Sequence, residues 1–376
     1  MKCVALNARF LRADVLEGYG NYVHEIFKRL VLQHPETNFI FIFDRPYDEA
    51  FITGSNVIPL VITPAARHAL SFKYWYDVKV PLALRKYSPD VLVQPYGFAS
   101  LTSKIPQLLV VHDLAFKHHP SFIPKHHLYY YRYFTPRFLK KVQSIVTVSE
   151  FSKADIAQHY PFAAAKTTVV YNAAKPGFQP LVFAERQAIK TQYANGCEYF
   201  LFVGGIHPRK NLLNLLKAFT IFKKWQKSNM KLLVVGRLAW QYNDIIEKLD
   251  SYKHREDVVL LDYVSDAVLQ NVMAAAYALI YPSFFEGFGV PVIEAMQSGT
   301  PVICSNTGSL PEIAGNAALL AAPDDVKELA QQMQLIYKDE IKRNQLIDAG
   351  KLQAAKFSWE ASAESFWEVM QQLTKK

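Results

Sequence analysis

Residues 281–301 read YPSFFEGFGVPVIEAMQSGTP, and this stretch decides the fold. The apolar run Ala278, Leu279, Ile280 and Tyr281 stops at Pro282 and Ser283, as a strand buried within a parallel sheet does. Phe285, Glu286, Gly287, Phe288 and Gly289 then make a glycine-bearing turn. Pro291 stands where a first helical position is expected, and Gly299 followed by Pro301 closes the helix roughly two turns later. The segment therefore reads strand, glycine loop, short helix. Such a helix start points backbone N–H groups and the positive dipole end outward, which suits a phosphate. Glu286 precedes the helix and Glu294 is placed in about its first turn. A carboxylate beside a phosphate is repelled, so both are expected to point past it toward hydroxyl donors, one on a sugar and one on a ribose. A solvated loop acid and an acid at a helix start are the alternative reading of the pair.

The whole run PS-x-x-EGFG-x-P-x-x-EAM-x-x-G-x-PV resembles, almost residue for residue, the signature of retaining glycosyltransferases of family four (glycosyltransferase group 1). Glu286 and Glu294 match that family's E-x7-E pattern. The resemblance implies an α/β chain of GT-B architecture: two Rossmann-like domains, their parallel sheets facing across a cleft, with a C-terminal helix that crosses back to the first. It also implies a nucleotide-diphosphate sugar as donor and retention of anomeric configuration.

Composition sets the wider bounds. The 376 residues suggest two to three domains. Hydrophobic residues make up 51% and charged ones only 20%, enough apolar material for large cores. Cys3, Cys197 and Cys304 are widely spaced and fit a reduced cytosolic protein. The start of the chain shows no signal-peptide pattern, and no apolar run reaches the ~18 residues that a membrane span needs. The expectation is a cytoplasmic protein, at most attached to the inner face of the cytoplasmic membrane. The net charge of +9 is unevenly placed: residues 1–175 carry 21 Lys plus Arg against 12 Asp plus Glu, and residues 176–376 carry 21 of each. A basic half invites nucleic acid, an anionic membrane or a phosphorylated substrate.

The first half alternates strand and helix. Strands are expected at 2–6, 39–43, 57–62, 91–93, 108–111 and 145–148, with a helix over 21–32. Ligands on such sheets bind past the carboxyl ends of the strands. Residues 17–20 (Glu17, Gly18, Tyr19, Gly20) follow the first strand and read as a loop. In the resembled family a glycine-rich loop here lets the backbone approach the donor phosphate, which selects Gly20. His112 ends the strand at 108–111, with Asp113 beside it. The family places a histidine in such an HDL segment against the transferred sugar. Residues 117–141 interleave Lys117, Lys125, Arg132, Arg137, Lys140 and Lys141 with Phe122, Tyr129, Tyr130, Tyr131, Tyr133, Phe134 and Phe138, and His118, His119, His126 and His127 add to the run. An earlier stretch from His68 to Lys86, with Phe72, Tyr74, Trp75 and Tyr76, has the same character. Rings with basic side chains suit a membrane interface, packing into the core, or stacking on single-stranded nucleic acid.

Lys175, Pro176, Gly177 and Pro180 have the punctuation of a linker. The boundaries are set at 1–175, with the C-terminal helix 357–376, for an acceptor-binding domain, and at 176–356 for a nucleotide-sugar-binding domain. The second half restarts with a strand at 199–203, then Gly204, Gly205 and HPRKN to Asn211. Arg209 and Lys210 beside the glycines can neutralise a diphosphate, Arg by its fork and Lys as a point charge. GG-x-x-x-RKN also resembles the family's diphosphate loop. Further strands are expected at 231–235, 258–263 and 302–304, and the family holds the nucleotide base near segments like Arg237 and Val264. Residues 359–373 pattern as an amphipathic helix with Ala363, Phe366, Trp367, Met370 and Leu373 on one side.

The expected chemistry follows. Departure of the nucleotide diphosphate makes negative charge, met by Arg209, Lys210, the Gly20 and Gly205 backbone and the N–H groups near Phe288, Gly289 and Val290. His112 and Glu286 act at the sugar, and Glu294 at the ribose. No cofactor and no metal is called for: two cations and a helix end fill that place, and no carboxylate pair has DxD spacing. The HDL segment looks most like GDP-mannose-dependent mannosyltransferases of surface polysaccharide assembly. GDP-mannose is the favoured donor and a UDP-sugar the alternative, with a saccharide or lipid-linked saccharide as acceptor. Two other classes are weighed. A dehydrogenase needs GxGxxG after a strand with an acid about 20 positions on, which neither half supplies. A nucleic-acid binder explains the charge but leaves the glutamates and the Arg-Lys loop idle.

Overall fold

The structure, a computed structural model, describes residues 1–12, 16, 18–65, 69–237, 247–249 and 251–374. Glu17 and His68, named above, lie outside them. The chain splits into two compact units, Met1–Asn172 with Ser358–Lys376, and Ala173–Phe357, a few residues from the cuts expected at 175/176 and 356/357.

The first unit holds a seven-stranded parallel sheet. Its strands are β1 (Cys3–Asn7), β2 (Asn38–Phe43), β3 (Val57–Val61), β4 (Val91–Gln94), β5 (Gln107–Val110), β6 (Ser144–Thr147) and β7 (Thr167–Val169), in the order β3-β2-β1-β4-β5-β6-β7. Runs such as Phe39-Ile40-Phe41-Ile42-Phe43 are buried throughout, because helices cover both faces of a parallel sheet. Helix Trp359–Thr374 belongs to this unit and lies along helix Gly18–Gln33. Phe366 meets Phe27 edge-on at 5.7 Å, and Trp367 stacks on His34 at 3.6 Å. Arg29 Nε donates to Glu360 at 2.8 Å, and Ser362 Oγ donates to the Tyr171 carbonyl at 2.8 Å. Burying each of these aromatic side chains is worth about 1.5–3 kcal/mol.

The second unit repeats the plan with six parallel strands: β8 (Tyr199–Val203), β9 (Lys231–Val235), β10 (Val258–Leu260), β11 (Ala278–Tyr281), β12 (Val302–Ser305) and β13 (Ala318–Ala321), ordered β10-β9-β8-β11-β12-β13. Phe200, Phe202, Phe219, Phe222, Leu232, Ile280 and Ile303 share one core.

Some elements differ from the sequence reading. Gly18, Tyr19 and Gly20 are not a loop but the first turn of helix Gly18–Gln33. An added Cβ at Gly20 would lie 2.9 Å from the Phe10 carbonyl oxygen, so close packing of the helix start explains this glycine. β10 stops at Leu260 instead of reaching 263, because Asp262 takes a positive φ of 43°. β13 had no signal: its Ala and Leu residues favour helix in isolation, and pairing with β12 overrides that preference. Of the alternatives for the aromatic-basic run, Trp75 and Tyr76 take core packing: Trp75 Nε1 donates to the Ile62 carbonyl at 2.9 Å, and Tyr76 OH accepts from Asn7 Nδ2 at 2.8 Å. On helix Lys125–Lys141, Phe138 is buried while Tyr129 and Tyr133 stay exposed.

Candidate active site

In the second sheet the chain runs outward from β8 to β10, then returns to place β11 on the other side of β8. The loops after β8 and β11 therefore diverge at the switch point, where open α/β sheets bind ligands. The β8 end demands glycine. Gly236, at the end of β9, has φ +150°, and a Cβ there would lie 2.0 Å from the Gly204 carbonyl oxygen. Gly204 itself has φ +141°, and its own Cβ would press on Lys210 Cε at 3.2 Å. Gly205 follows, partly exposed, beside this strained pair.

The β8 loop then turns through Pro208–Lys210 to Asn211, in the left-handed region at φ 64°. Asn211 Nδ2 donates to the Pro282 and Pro323 carbonyls at 2.9 and 2.5 Å, tying this loop to the one after β11. The Phe284 N–H donates to the Arg209 carbonyl at 2.9 Å. Across this seam Lys210 Nζ lies 2.7 Å from Glu286 Oε1 and 2.6 Å from the Tyr281 hydroxyl, while Arg209 Nη1 donates to the Phe285 carbonyl at 3.3 Å. Lys210 and Glu286, read separately in the sequence, form one ion pair. Burial alone raises the Glu286 carboxyl, but Lys210 and Arg209 outweigh it and hold its pKa down at about 2. Two cations beside one carboxylate leave a positive excess, suited to an anion.

A third loop fixes Glu286 from behind. Gly308 has φ +65°, and a Cβ there would sit 2.9 Å from the Glu286 carbonyl oxygen. Buried Ser309 donates its N–H to that oxygen at 3.2 Å, and its Oγ lies 2.8 Å from the Phe288 carbonyl oxygen. The residue types of Asn306-Thr307-Gly308 signal a turn; nothing in the sequence ties that turn to Glu286.

Helix Val290–Gln297 begins at Gly289, whose φ of 105° sets the N-cap, with Pro291 at the second helical position. The Gly289 and Val290 amides lead the helix. The Phe288 side chain is buried and meets Phe357 at 5.5 Å, so its backbone alone is available to a ligand. Glu294 is the fifth helical residue, not in the first turn as expected, and gains little from the dipole. Burial pushes its pKa up to about 7; Lys175, including its backbone amide, pulls it down, and Asp266 pushes it up. The Lys175 ammonium is itself committed to Asp266 Oδ1 at 2.8 Å. Lys175, Asp266, Asn211, Ser309 and Tyr281 are site residues that the sequence reading did not single out for a role.

Arg237 and Val264 lie at the same carboxyl end of the sheet. Arg237 is exposed and accepts at its carbonyl from the Ile206 N–H at 2.9 Å; Val264 is half-buried, just before the Ser265 cap of helix Asp266–Ala275.

In the first unit, His112 follows β5. Its Nε2 lies 3.0 Å from the Pro95 carbonyl oxygen, an acceptor only, so Nε2 carries the proton and Nδ1 is the acceptor. Burial lowers its pKa to about 4, against the Pro95 carbonyl and Asp113, and keeps the ring neutral near pH 7. Tyr19 and Tyr22 hold the imidazole, at 4.4 and 5.3 Å between ring centres. Asp113 accepts from the Ala115 N–H at 2.9 Å, just ahead of the next helix.

Residues 16–178 match the family described as Glycosyltransferase Family 4, and residues 184–353 the one described as Glycosyl transferases group 1. The chain belongs to the group 1, family 4 glycosyltransferases. The O-antigen chain mannosyltransferase B of Escherichia coli is 33% identical to it over 251 residues, 66% of this chain and 66% of that protein. The O-antigen chain mannosyltransferase RfbU of Salmonella typhimurium is 33% identical over 222 residues, 59% of this chain and 58% of that protein. The family member thus spans about two thirds or less of these curated relatives. The structure of Anabaena HepE in complex with UDP and glucose is similar at a TM-score of 0.77 and 18% identity, over 99% of this chain and 100% of that one. That likeness establishes the fold: two Rossmann-like units of the GT-B type.

Proposed function

We propose that the chain is a retaining hexosyltransferase that moves mannose from GDP-mannose to a saccharide acceptor, lipid-linked, in assembly of a surface polysaccharide of the O-antigen kind. The observation that carries the transferase is the Lys210–Glu286 pair with Arg209 at the sheet's switch point. The choice of mannose and of the acceptor is supported by what the two curated relatives are called.

When the bond from the sugar to the diphosphate breaks, negative charge grows on the phosphate oxygens and positive charge on the sugar ring. Arg209, Lys210 and the amides of residues 288–290 are fixed donors for the first, of the kind worth most in a closed site. Because they supply that neutralisation, transfer is expected to proceed in the presence of a chelator. Glu286, ionised at every physiological pH, accepts from sugar hydroxyls. Glu294 accepts from the ribose, and Arg237 and Val264 flank the base. In the first unit, neutral His112 offers Nδ1 to a sugar hydroxyl, and the first turn of helix Gly18–Gln33, Gly20 within it, offers amides to phosphate. Glu286 is engaged by Lys210 at 2.7 Å, which favours attack by the acceptor on the face the diphosphate leaves. Trapping a covalent glycosyl-enzyme would contradict this step.

The excess charge of residues 1–175, with exposed Tyr129 and Tyr133, supports peripheral attachment at the cytoplasmic membrane face; flotation with anionic and neutral liposomes tests it. The deciding experiment incubates the chain with a panel of sugar nucleotides and EDTA and measures release of nucleotide diphosphate. GDP-mannose is expected to turn over fastest. Turnover of a UDP-sugar in its place would discard mannose; turnover of none would discard the transferase.

A further inference from the structure

Away from these residues, His118, Asp155 and His159 converge on one point of the first unit. Asp155 and His159 are four apart on helix Glu150–His159 and share a face; His118 ends helix Ala115–His118. His118 Nε2 lies 2.8 Å and His159 Nε2 3.4 Å from the same oxygen, Asp155 Oδ1, and one donor atom from each residue lies within 4.8 Å of the other two. His159 Nε2 is buried with no hydrogen-bond partner among the described residues. Two imidazoles and a carboxylate around tetrahedral zinc, at about 2.0–2.1 Å each, place their donor atoms about 3.3 Å apart. The observed spacings bracket that value.

We infer that His118, Asp155 and His159 form a binding site for a divalent transition metal of the zinc, cobalt or nickel class. Asp155 is buried while both histidines are about a third exposed, so protein holds three positions and solvent reaches the fourth. Binding displaces the proton that His118 shares with Asp155. The ion joins the short helix after His112 to helix Glu150–His159, whose Ser152 Oγ donates to the His112 carbonyl at 3.4 Å. The site therefore braces the His112 segment. The sequence reading assigned no metal ligand, because His118 lies 37 positions from its carboxylate partner.

The test titrates the untagged, chelator-stripped chain with Zn2+ against a chromophoric chelator, and with Co2+ by visible absorption. One equivalent should bind, and unfolding should shift to higher temperature with metal. His118→Gln and His159→Gln should each weaken binding at least about tenfold and abolish that shift, with circular dichroism unchanged. If one of these variants fails to fold, the other carries the test. The double variant His126→Gln/His127→Gln should bind as the unmodified chain does. Absence of metal uptake, undiminished affinity in the His118 and His159 variants, or loss in the His126/His127 double variant overturns the site.

Discussion

Glu286 and Glu294 are eight residues apart and equally hidden, yet their carboxyl groups move in opposite directions, to about 2 and about 7. Burial pushes both upward. Glu286 escapes because its loop faces two cations, one of them in contact. Glu294 does not, because it sits in a helix between Ile293 and Ala295 and its nearest ammonium, Lys175, is held by Asp266. A buried carboxylate thus follows its partner rather than its depth. One glutamate is a permanent anion; the other has its charge decided by what binds.

Removing the partner is the strongest way to erase this difference. Lys210→Ala leaves Glu286 buried beside Arg209 alone, so its pKa should rise toward that of Glu294. Turnover should fall about 10²–10³-fold, the usual loss for a donor aimed at developing charge. Stability should fall by about 3–5 kcal/mol in urea unfolding, since breaking a buried pair strands a charge. Lys210→Ala/Glu286→Gln should recover most of the stability and none of the turnover. If Lys210→Ala keeps turnover within about threefold, the pair is a structural brace and not the diphosphate grip.

Glu294→Gln tests the other side. On the proposed assignment a ribose diol donates to the carboxylate, so GDP affinity should climb as pH rises through about 7, and the amide variant should bind more weakly with a flat profile by calorimetry. Stability moves the opposite way. A carboxyl raised from 4.5 to about 7 contributes fully below 4.5 and loses that contribution as pH rises through 7. The variant should therefore gain on the unmodified chain between pH 5 and pH 8, on the order of 3 kcal/mol by its end. Glu286 runs in reverse: its contribution is present above 4.5 and lost only as pH falls through about 2. An unchanged pH profile in the variant would place the ribose elsewhere.

The sequence carried this contrast only halfway. Both glutamates and both cations were legible, because strand–glycine–helix punctuation places them at strand ends. Their pairing was not, since Lys210 and Glu286 are 76 residues apart and meet only when β8 and β11 become neighbours. Lys175 was visible only as linker, although its contact with Asp266, 91 positions on, holds the ammonium that would offset the burial of Glu294. The alternatives left open at Trp75 and Tyr76 have a similar cause: an aromatic-basic run looks the same whether its rings face the core or solvent, and only packing against Ile62 and Asn7 tells which.

The smallest effect should come from Ser309, which touches the Glu286 loop and leaves the Glu294 helix alone. Ser309→Ala removes a hydroxyl from the Phe288 and Glu286 carbonyls in a fully buried place, keeping one N–H bond to Glu286. A neutral hydrogen bond contributes about 0.5–1.5 kcal/mol, so stability should drop by about that much. The loop should then wander enough to cost turnover about three- to tenfold, as small misplacements do. The rise of GDP affinity through pH 7 should stay as it was, because Glu294 and Lys175 are undisturbed, while a shift of the amides at 288–290 lowers the affinity itself at every pH. That split between turnover and the pH profile of nucleotide affinity separates the two carboxylates by function, where their pKa values separate them by environment. Were Ser309→Ala to flatten that pH profile and leave turnover intact, the roles assigned to the two glutamates would have to be exchanged.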